Sequence, residues 1–434
     1  MKFPFWPDFK GYRNIELGLS RVIELLARLD NPHLKIPPTI HIAGTNGKGS
    51  TQAFLRSIFT EEGYAVHSYT SPHLVNFNER IIIAGQEISD DFLNQCLLEC
   101  KNAAEKSPKI DVTFFEGITV AAFLAFSKIK ADILLLEVGM GGRLDATNVL
   151  PKVLCSIITP IAFDHTDFLG NSLAKIAFEK AGIIKKSCPV IISKQKPSAL
   201  KTLENQALAI DSTAKVFQKD WSFSKSKTSA NWEYKSSNHK FILPKPALAG
   251  DHQFENAALA ITAALDQKQF FITENHIKSA IAKTFWPARL QKINSGKFFK
   301  ILPNNFELYL DGSHNLQGSA TIKKFLKNEK DKKIFVIFSM LKDKNCAGFL
   351  KKLAKEIDHL IAVPIADEPK ARSPEEIKII AKKNGIFCKS SKNFNEAFAN
   401  ILSSHKSSEP ALILVCGSLY LAGNFLEENG NQSF

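Results

Sequence analysis

The stretch His41-Ile-Ala-Gly-Thr-Asn-Gly-Lys-Gly-Ser-Thr51 has the pattern of a buried strand, a glycine-rich turn and the start of a helix, in that order. Glycines let backbone amides approach a polyphosphate, a lysine adds positive charge, and a hydroxyl at the helix start can bind Mg²⁺. The helix that follows, predicted from about 51 to 59, points the positive end of its dipole at the same anion. We therefore predict a loop that binds a polyphosphate, made of Gly44, Thr45, Asn46, Gly47, Lys48, Gly49, Ser50 and Thr51.

The composition is that of a soluble globular protein. The chain has 434 residues, of which 44% are hydrophobic, enough material for two or three domains. Its start, Met1 to Pro7, has no continuous apolar segment, and the later apolar runs are strand-sized. Seven scattered cysteines without a C-x-x-C pair fit reduced thiols and give no cysteine metal site. We expect a cytoplasmic protein that neither is exported nor spans a membrane.

The formal charge of +13 raises the question of a nucleic-acid partner. The lysines are spread along the chain without interleaved aromatic residues or a recognisable reading helix. A positive field attracts phosphate and carboxylate ligands equally well. We therefore expect small-molecule substrates and no nucleic acid, and keep a nucleic-acid-stimulated P-loop ATPase as the alternative from another class of protein.

Strand-like apolar runs alternate with amphipathic helical stretches, which is typical of a doubly wound α/β fold. The strands are predicted at residues 39–43, 65–69, 133–138, 153–159, 190–193, 306–310, 334–338, 360–363 and 411–415. An apolar stripe predicts a first helix over residues 15–29, and residues 217–247 have the pattern of a β insert. A break near residues 285–289 predicts a P-loop ATPase domain over residues 1–288 and a smaller Rossmann-like domain over residues 289–434.

Three further polar residues stand near the ends of predicted elements. Glu137 ends an apolar strand, where a metal ligand for bound ATP is expected, although a glutamate in an ion pair has the same pattern. His165 follows another strand and fits either a hydrogen-bonded core histidine or a metal ligand. Lys180 lies near the end of a predicted helix over residues 172–181, where a cation also stabilises the helix dipole. The residues alone leave these alternatives open.

Several motifs, taken together, resemble one family. G-T-N-G-K-G-S is similar to the ATP loop of the Mur ligase superfamily, and its Lys-Gly-Ser ending resembles the folate branch, the dihydrofolate synthases and folylpolyglutamate synthases. The same branch is matched by the motifs S-P-H-L-V (71–75), R-L-D-A-T-N (143–148), D-H-T-D (164–167), E-K-A-G-I (179–183), H-Q-F-E-N (252–256), P-A-R (287–289) and D-G-S-H-N (311–315). The matches run in order from the first helix to about residue 423. The resemblance implies a Mur-ligase-like fold.

The resemblance also implies roles for individual residues. The metal ligands would be Ser71, Glu137, His165 and Lys180, the last as a carbamate, and the catalytic residues Lys48, Lys180 and His165. Beyond the loop, the nucleotide would contact Asn256, Arg289, Asp311 and His314, with Ala288 standing where the family has glycine. The pterin or folate would contact Glu16, Leu17, Gly18, Thr113, Phe114, Phe115, Glu116, Arg143, Leu144 and Asp145.

The activity that the resemblance implies is ATP-dependent ligation of L-glutamate to 7,8-dihydropteroate, and of further glutamates to tetrahydrofolate, through an acyl phosphate. The resemblance also implies two Mg²⁺ ions per site, with ATP as co-substrate. It further implies a monomer. Whether a monovalent cation is needed stays open. A monofunctional folylpolyglutamate synthase is the nearest alternative. A Mur-type cell-wall ligase is opposed by the G-K-G-S, S-P-H-L and R-L-D-A-T-N motifs.

Overall fold

The computed structural model describes residues 4–7, 17–226 and 229–430. The chain divides into two compact units, one formed by residues 1–247 and 253–285 and the other by residues 248–252 and 286–434. The functional division at residue 288, into an ATP- and folate-binding domain and a glutamate-ligase domain, stays a prediction. No helix in the described ranges is both long enough and apolar enough to cross a bilayer.

The first unit is built on an eight-stranded sheet with the order β4-β3-β2-β5-β1-β6-β7-β8. Its strands are β1 (Thr39–Ala43), β2 (Val66–Tyr69), β3 (Ile81–Ile83), β4 (Gln86–Glu87), β5 (Ile133–Glu137), β6 (Cys155–Ile158), β7 (Val190–Ile192) and β8 (Ala214–Val216). All are parallel except β3 and β4, which form an antiparallel edge. Strand β1 is buried along its whole length between β5 and β6, as expected for a parallel strand covered on both faces.

Helices surround this sheet. They are α1 (Ser20–Arg28), α2 (Lys48–Glu61), α3 (Asp90–Glu105), α4 (Phe114–Lys128), α5 (Thr166–Leu169), α6 (Leu173–Ala181), α7 (Pro197–Ala209), α8 (His252–Leu265) and α9 (Glu274–Lys283). Helix α4 is buried along most of its length and packs with α3 and α1 into one apolar core. This core includes residues of β2, β3 and β5 and of the segments that follow β2 and β5.

The predicted insert forms a separate antiparallel sheet in the order β11-β10-β9, from β9 (Trp221–Lys225), β10 (Trp232–Ser236) and β11 (Lys240–Leu243). Trp221, Trp232 and Tyr234 are buried, and the Trp232 ring meets the edge of Phe254 in α8. Aromatic packing therefore joins the insert to α8, and no residue of the predicted site belongs to it.

The second unit contains a six-stranded sheet with the order β12-β13-β17-β14-β15-β16. Its strands are β12 (Gln291–Lys292), β13 (Phe306–Asp311), β14 (Lys333–Phe338), β15 (His359–Ala362), β16 (Cys388–Ser390) and β17 (Ala411–Cys416). All but β12 are parallel. Its helices are α10 (Lys297–Lys300), α11 (Leu316–Leu326), α12 (Cys346–Leu353), α13 (Pro374–Lys383), α14 (Phe394–Ser404) and α15 (Leu419–Asn429).

The predicted α/β class with parallel sheets is confirmed, and every predicted strand is present within one or two residues of its expected bounds. The first residues of two helices differ by more than this from their predicted positions. Helix α2 begins at Lys48 rather than at residue 51, because Gly47 takes a left-handed conformation that allows the helix to begin directly after it. Helix α1 begins at Ser20, and residues 15 and 16 of the predicted first helix lie outside the described residues.

Candidate active site

The 44–51 loop takes a conformation that its glycines make possible. Gly44 has φ +151° and Gly47 has φ +92°, a region that residues with a side chain rarely adopt. A Cβ atom on Gly44 would lie 1.8 Å from Thr159 Oγ1, and one on Gly47 would lie 2.6 Å from Asn256 Oδ1. Helix α2 starts immediately after the loop, so its first amides are directed at the same place. The geometry is that of an anion-binding loop.

The loop is fixed to the segment that follows β6. The amides of Thr45 and Asn46 donate to the Pro160 carbonyl at 3.1 and 3.3 Å. The Thr45 hydroxyl donates to the Ala162 carbonyl and accepts from the Ala162 amide, each at 3.1 Å. The chain that leads to His165 is therefore held beside the loop of residues 44–51, which we call the phosphate loop.

A second set of contacts comes from α8. The Asn256 side-chain amide donates to Gln253 Oε1 at 2.9 Å, and the Gln253 amide reaches Ser50 Oγ at 3.4 Å. Asn256 was predicted as a nucleotide contact, whereas Gln253, which is fully buried, was not. Gln253 is part of the H-Q-F-E-N motif, but sequence alone does not show that the Gln253 side chain reaches the phosphate loop.

A buried carboxylate faces the loop lysine. Glu137, at the end of β5, is 4% exposed, and its Oε1 lies 3.7 Å from Lys48 Nζ. The Thr70 hydroxyl donates a hydrogen bond to Glu137 Oε2. Lys48 and Glu137 thus meet where neighbouring strands end, which is the place expected for ligands in an open α/β sheet. The ion-pair and metal-ligand alternatives for Glu137 both fit this position.

Lys180 contacts the same loop from α6. Its Nζ donates to the Gly44 carbonyl at 2.9 Å, and the residue is buried. Burial, together with the nearby charge of Lys48, lowers the pKa of Lys180 to about 7, against the opposing influence of Asp164 and Asp145. A large fraction of Lys180 is therefore the neutral amine near pH 7, and its ammonium role as a helix-terminal cation is weak.

Ser71 begins a loop that is ordered from within. It follows Thr70, so it lies at the same strand end as Glu137. The Glu79 carboxylate accepts hydrogen bonds from the amides of residues 74, 75 and 76. Arg80 Nε donates to His73 Nδ1 at 2.8 Å, and burial and the charge of Arg80 lower the pKa of His73 to about 3. His73 is therefore neutral and serves as a hydrogen-bond acceptor in this loop.

The side chains around the phosphate loop offer oxygen atoms, which are the ligands that a hard cation prefers. Two buried hydroxyl oxygens, Thr51 Oγ1 and Thr159 Oγ1, have no hydrogen-bond partner there, and the Glu137 carboxylate lies 3.7 Å from Lys48 of the same loop. Oxygen donors of this type suit Mg²⁺. Across residues 4–7, 17–226 and 229–430, no three His, Cys, Asp or Glu side chains form a metal cluster. The predicted metal site therefore needs the Ser71 hydroxyl and a carbamate on Lys180 as ligands, besides Glu137 and His165.

His165 lies at the start of α5 with φ +49°, and its side chain is exposed. Its amide donates to its neighbour Asp164 at 3.0 Å. The exposure argues against the core-histidine alternative. Its role as a metal ligand stays a prediction.

The predicted pterin contacts of α4 lie beside the loop of residues 139–148, which we call the acceptor loop. The Phe115 ring covers Gly139 so closely that a Cβ there would lie 2.4 Å from Cζ, while the Phe114 ring meets the edge of Phe77. Thr113 caps α4, and Glu116 pairs with Arg21 at 2.9 Å. Thr113 and Glu116 thus shape this helix end, and Phe115 is the one of these four residues shown against the loop.

Within the acceptor loop, Arg143 is exposed and Asp145 is buried. The Asp145 carboxylate accepts from the Met140 amide at 2.8 Å, the Thr147 amide at 3.1 Å and the Thr147 hydroxyl at 2.6 Å. Burial raises the pKa of Asp145, and these hydrogen bonds oppose the rise. The carboxylate predicted to contact pterin therefore also determines the shape of the loop, while Leu144 is half-buried.

The remaining pterin predictions fall before α1. Leu17 is 37% exposed, and a Cβ on Gly18 would meet no atom within 4 Å. Glu16 lies outside the described residues. The assignment of Glu16, Leu17 and Gly18 to pterin or folate stays a prediction.

In the second unit, the predicted nucleotide residues come together in two adjoining turns. The Asp311 carboxylate accepts from the Leu290 amide at 2.8 Å and from the Ser313 amide at 2.9 Å. A Cβ on Gly312 would lie 3.0 Å from Arg289 Nη1, and His314 Nδ1 lies 3.1 Å from the Gly312 carbonyl. Arg289, Asp311 and His314 are thus neighbours.

The turn that carries Arg289 is strained. Ala288 and Leu290 have φ of +53° and +48°, so the position where the family has glycine keeps a glycine-like conformation although it carries a side chain.

The parallel sheets and the glycine-rich loop define a class, the ATP-dependent ligases of the Mur type. The model of the Mur ligase middle domain matches residues 42–264, and that of the dihydrofolate synthetase C-terminal domain matches residues 294–428. The predicted Mur-ligase-like fold is confirmed.

Similar proteins give the family within this class. The dihydrofolate synthase/folylpolyglutamate synthase of Bacillus subtilis is 34% identical over 421 residues, covering 94% of this chain and 93% of that protein. The dihydrofolate synthetase of Saccharomyces cerevisiae is 34% identical, covering 95% of this chain and 97% of that protein. The chain belongs to the dihydrofolate synthase and folylpolyglutamate synthase family, whose members are ATP-dependent carboxylate-amine ligases.

Solved structures agree with this assignment. Escherichia coli FolC, solved in complex with DHPP and ADP, has a TM-score of 0.85 and 30% identity, covering 96% of this chain and 94% of that chain. The bifunctional enzyme of Yersinia pestis, solved with AMPPNP and Mn, has a TM-score of 0.83 and 27% identity, covering 96% and 94%. The relatives do not favour the nucleic-acid-stimulated ATPase.

Proposed function

We propose that this protein ligates L-glutamate to the carboxylate of 7,8-dihydropteroate, giving dihydrofolate, and adds further glutamates to tetrahydrofolate. The observation that carries the proposal is the convergence of Lys48, Glu137 and Lys180 at one end of the parallel sheet. The acceptor loop packs against the helix that supplies Lys180. Both activities occur among the names of its relatives, which supports a bifunctional enzyme.

The reaction requires activation of an unreactive carboxylate. A carboxylate oxygen of the acceptor attacks the γ-phosphorus of ATP, ADP departs, and an acyl phosphate forms. The glutamate amine then attacks the acyl carbon, the bond to the phosphate oxygen breaks, inorganic phosphate leaves, and the nitrogen gives up a proton. Lys48 is placed to hold negative charge on the transferred phosphoryl group.

Mg²⁺, two ions per site, would be held by Ser71, Glu137, His165 and Lys180 as its carbamate. When bound, it would neutralise charge shared by ATP and the acceptor. The carbamate forms when the neutral Lys180 amine adds to carbon dioxide and releases a proton. The burial of Lys180 and its contact with the Gly44 carbonyl support this modification, because both place the amine at the phosphate loop.

The other assignments follow the family motifs. We assign the 44–51 loop, Asn256, Arg289, Asp311 and His314 to ATP, and residues 16–18, 113–116 and 143–145 to pterin or folate. The protein acts in the cytoplasm as a monomer and has no nucleic-acid partner.

The proposal is tested by incubating purified protein with MgATP and L-glutamate, with 7,8-dihydropteroate, tetrahydrofolate or a UDP-muramoyl peptide as acceptor. ADP release and product masses are measured, and Lys48→Ala is the inactive control. A gain of one glutamate on dihydropteroate supports dihydrofolate synthase activity, and a gain on tetrahydrofolate as well supports the bifunctional enzyme. A gain on tetrahydrofolate alone supports the monofunctional alternative. No product with either pterin would contradict the proposal.

A second test addresses Lys180. Protein is equilibrated with ¹³C-bicarbonate, and a carbamate carbon signal is sought by NMR, with Lys180→Met as the control. The expected signal is present in the wild type and lost in the variant. A wild-type spectrum that matches the variant's would remove Lys180 from the predicted metal ligands.

A further inference from the structure

The last turn of α6 contacts two loops of the candidate site. On one side Lys180 donates to the carbonyl of Gly44 in the phosphate loop. On the other side the preceding residue, Glu179, contacts Arg143 of the acceptor loop through both its backbone and its side chain. Lys180 has an assigned role in the family motif, whereas Glu179 has none.

The backbones of the helix turn and the acceptor loop touch. The Arg143 amide donates to the Glu179 carbonyl at 2.7 Å. A Cβ on Gly142 would lie 2.8 Å from that carbonyl oxygen, and one on Gly182 would lie 2.4 Å from Arg143 Cα. The Asn148 amide donates to the carbonyls of Arg143 and Gly182 at 3.1 and 3.0 Å. The position of Arg143 relative to α6 is therefore fixed by close packing.

The Arg143 side chain is held on one edge and on one face. Its Nε lies 3.2 Å from both Glu179 carboxylate oxygens, and its Nη2 donates to Oε1 at 2.9 Å. The Phe178 ring lies under the guanidinium, 5.6 Å from Cζ to the ring centroid. No described residue accepts a hydrogen bond from Nη1, and the Arg143 side chain is 45% exposed. The guanidinium is thus oriented and still has N–H groups to donate.

We propose that Glu179 is a positioning residue for the acceptor substrate. It holds the Arg143 guanidinium so that the remaining N–H groups donate to carbonyl or carboxylate oxygens of the acceptor. A planar guanidinium fixed by a bidentate carboxylate binds such oxygens in one orientation, whereas a free arginine side chain samples many. This inference rests on the proposed function, because it concerns the acceptor of the ligation.

The alternative is that the pair only stabilises the fold. The two roles differ in what they change. A structural pair would alter the melting temperature or affect both substrates, whereas a positioning residue alters the KM for the acceptor and leaves that for ATP unchanged. The close backbone packing of Gly142 and Gly182 persists without the carboxylate, so the loop stays in place when Glu179 is changed.

The test compares Glu179→Gln with the wild type. We expect the KM for 7,8-dihydropteroate to rise on the order of fivefold, since the Arg143 side chain is 45% exposed, with kcat, the KM for ATP and the melting temperature unchanged. Equilibrium binding of 7,8-dihydropteroate in the presence of AMPPNP should weaken by the same factor. Glu99→Gln, which removes an ion pair with Lys128 between two helices, is the matched control and should change none of these.

A double-mutant cycle asks whether Glu179 acts through Arg143. In an Arg143→Ala background, Glu179→Gln should have no further effect on acceptor binding. Additive effects, an equal rise in the KM for ATP, or an unchanged acceptor KM in the single variant would each overturn the inference. If the wild type itself makes no product with either pterin, the proposed function fails and this inference fails with it. Product from the wild type, with unchanged binding by Glu179→Gln, overturns this inference alone.

Discussion

The phosphate loop and the acceptor loop are held in shape by different means. The phosphate loop depends on its own glycines, Gly44 and Gly47, whose backbone angles and close contacts exclude a side chain. The acceptor loop depends on hydrogen bonds, with the buried Asp145 carboxylate bonded within the loop and the Glu179 backbone carbonyl of α6 accepting from the Arg143 amide. The first loop therefore requires residues without a side chain at two positions, and the second requires hydrogen-bonding groups.

The largest effect should follow a change in the phosphate loop. Gly44→Ala places a Cβ 1.8 Å from Thr159 Oγ1, which forces the loop and strand β6 apart. We expect ligase activity to fall more than about 100-fold and the free energy of unfolding to fall by about 3 kcal/mol. ADP release and urea denaturation measure the two effects. Gly63→Ala is the control, because Gly63 has φ +88° but open space around its Cβ, and equal effects in both variants would show that backbone angle alone matters.

The next largest effect should follow a change in the acceptor loop. Asp145→Asn keeps the size of the side chain but replaces one carboxylate oxygen by an NH₂ group, so a group that donates to that oxygen in the wild type would face another donor. We expect the free energy of unfolding to fall by about 2 kcal/mol, and acceptor KM to rise with little change in the KM for ATP. Steady-state kinetics with each substrate varied in turn checks this. A KM for ATP that rises as much as that for the acceptor would mean that the two loops are not independent.

Lys180 belongs to the helix that touches both loops, and its buried amine should make stability depend on pH. Its pKa is about 7 when folded and near 10.5 when unfolded, so the unfolded state binds more protons between these values. The free energy of unfolding should therefore rise from pH 7 to pH 9.5, by on the order of 2 kcal/mol, relative to Lys180→Met. Urea denaturation of metal-free protein in buffers without carbon dioxide measures it. Parallel pH curves for the two proteins would contradict the lowered pKa.

The smallest effect should come from the strained turn in the second unit. Ala288→Gly relieves a left-handed alanine, but glycine also gains freedom in the unfolded chain. We expect a net stabilisation of about 0.5 kcal/mol and unchanged activity. The midpoint of urea unfolding, with Ala366→Gly at an ordinary loop position as a control, tests this. A loss of stability would mean that the Ala288 methyl group contributes packing that outweighs the strain.

The same comparison explains how far the sequence alone could lead. The 44–51 loop and Glu137 were predicted from the residues, because glycine conformation and strand ends are local properties. Arg143 and Asp145 came only from the family resemblance, and their partners Glu179 and Thr147 were not predicted as site residues at all. Thr147 lies within the loop, two residues from Asp145, whereas Glu179 is joined to Arg143 by a tertiary contact that no short spacing encodes.

Element boundaries show the same limit on a smaller scale. The strands were predicted within one or two residues, because a buried parallel strand is a continuous apolar run. Helix α2 was predicted to begin three residues late, since its first turn is made of Lys48, Gly49 and Ser50, which the sequence presents as loop residues. The glycines that shape the turn also hide where the helix begins.

Strand β17 lies between β13 and β14 and is the last strand of the second unit, although both of its neighbours precede it by more than seventy residues. During synthesis the ribosome delivers β13 and β14 first, and neither can pair with its central partner until residue 416 has left the exit tunnel. The second unit therefore acquires its sheet late in translation, well after the phosphate loop and β1 have their partners β5 and β6. A premature stop before residue 411 would leave β12–β13 and β14–β16 as two pieces of sheet without the strand that joins them, a substrate for chaperones and proteases rather than a shortened enzyme.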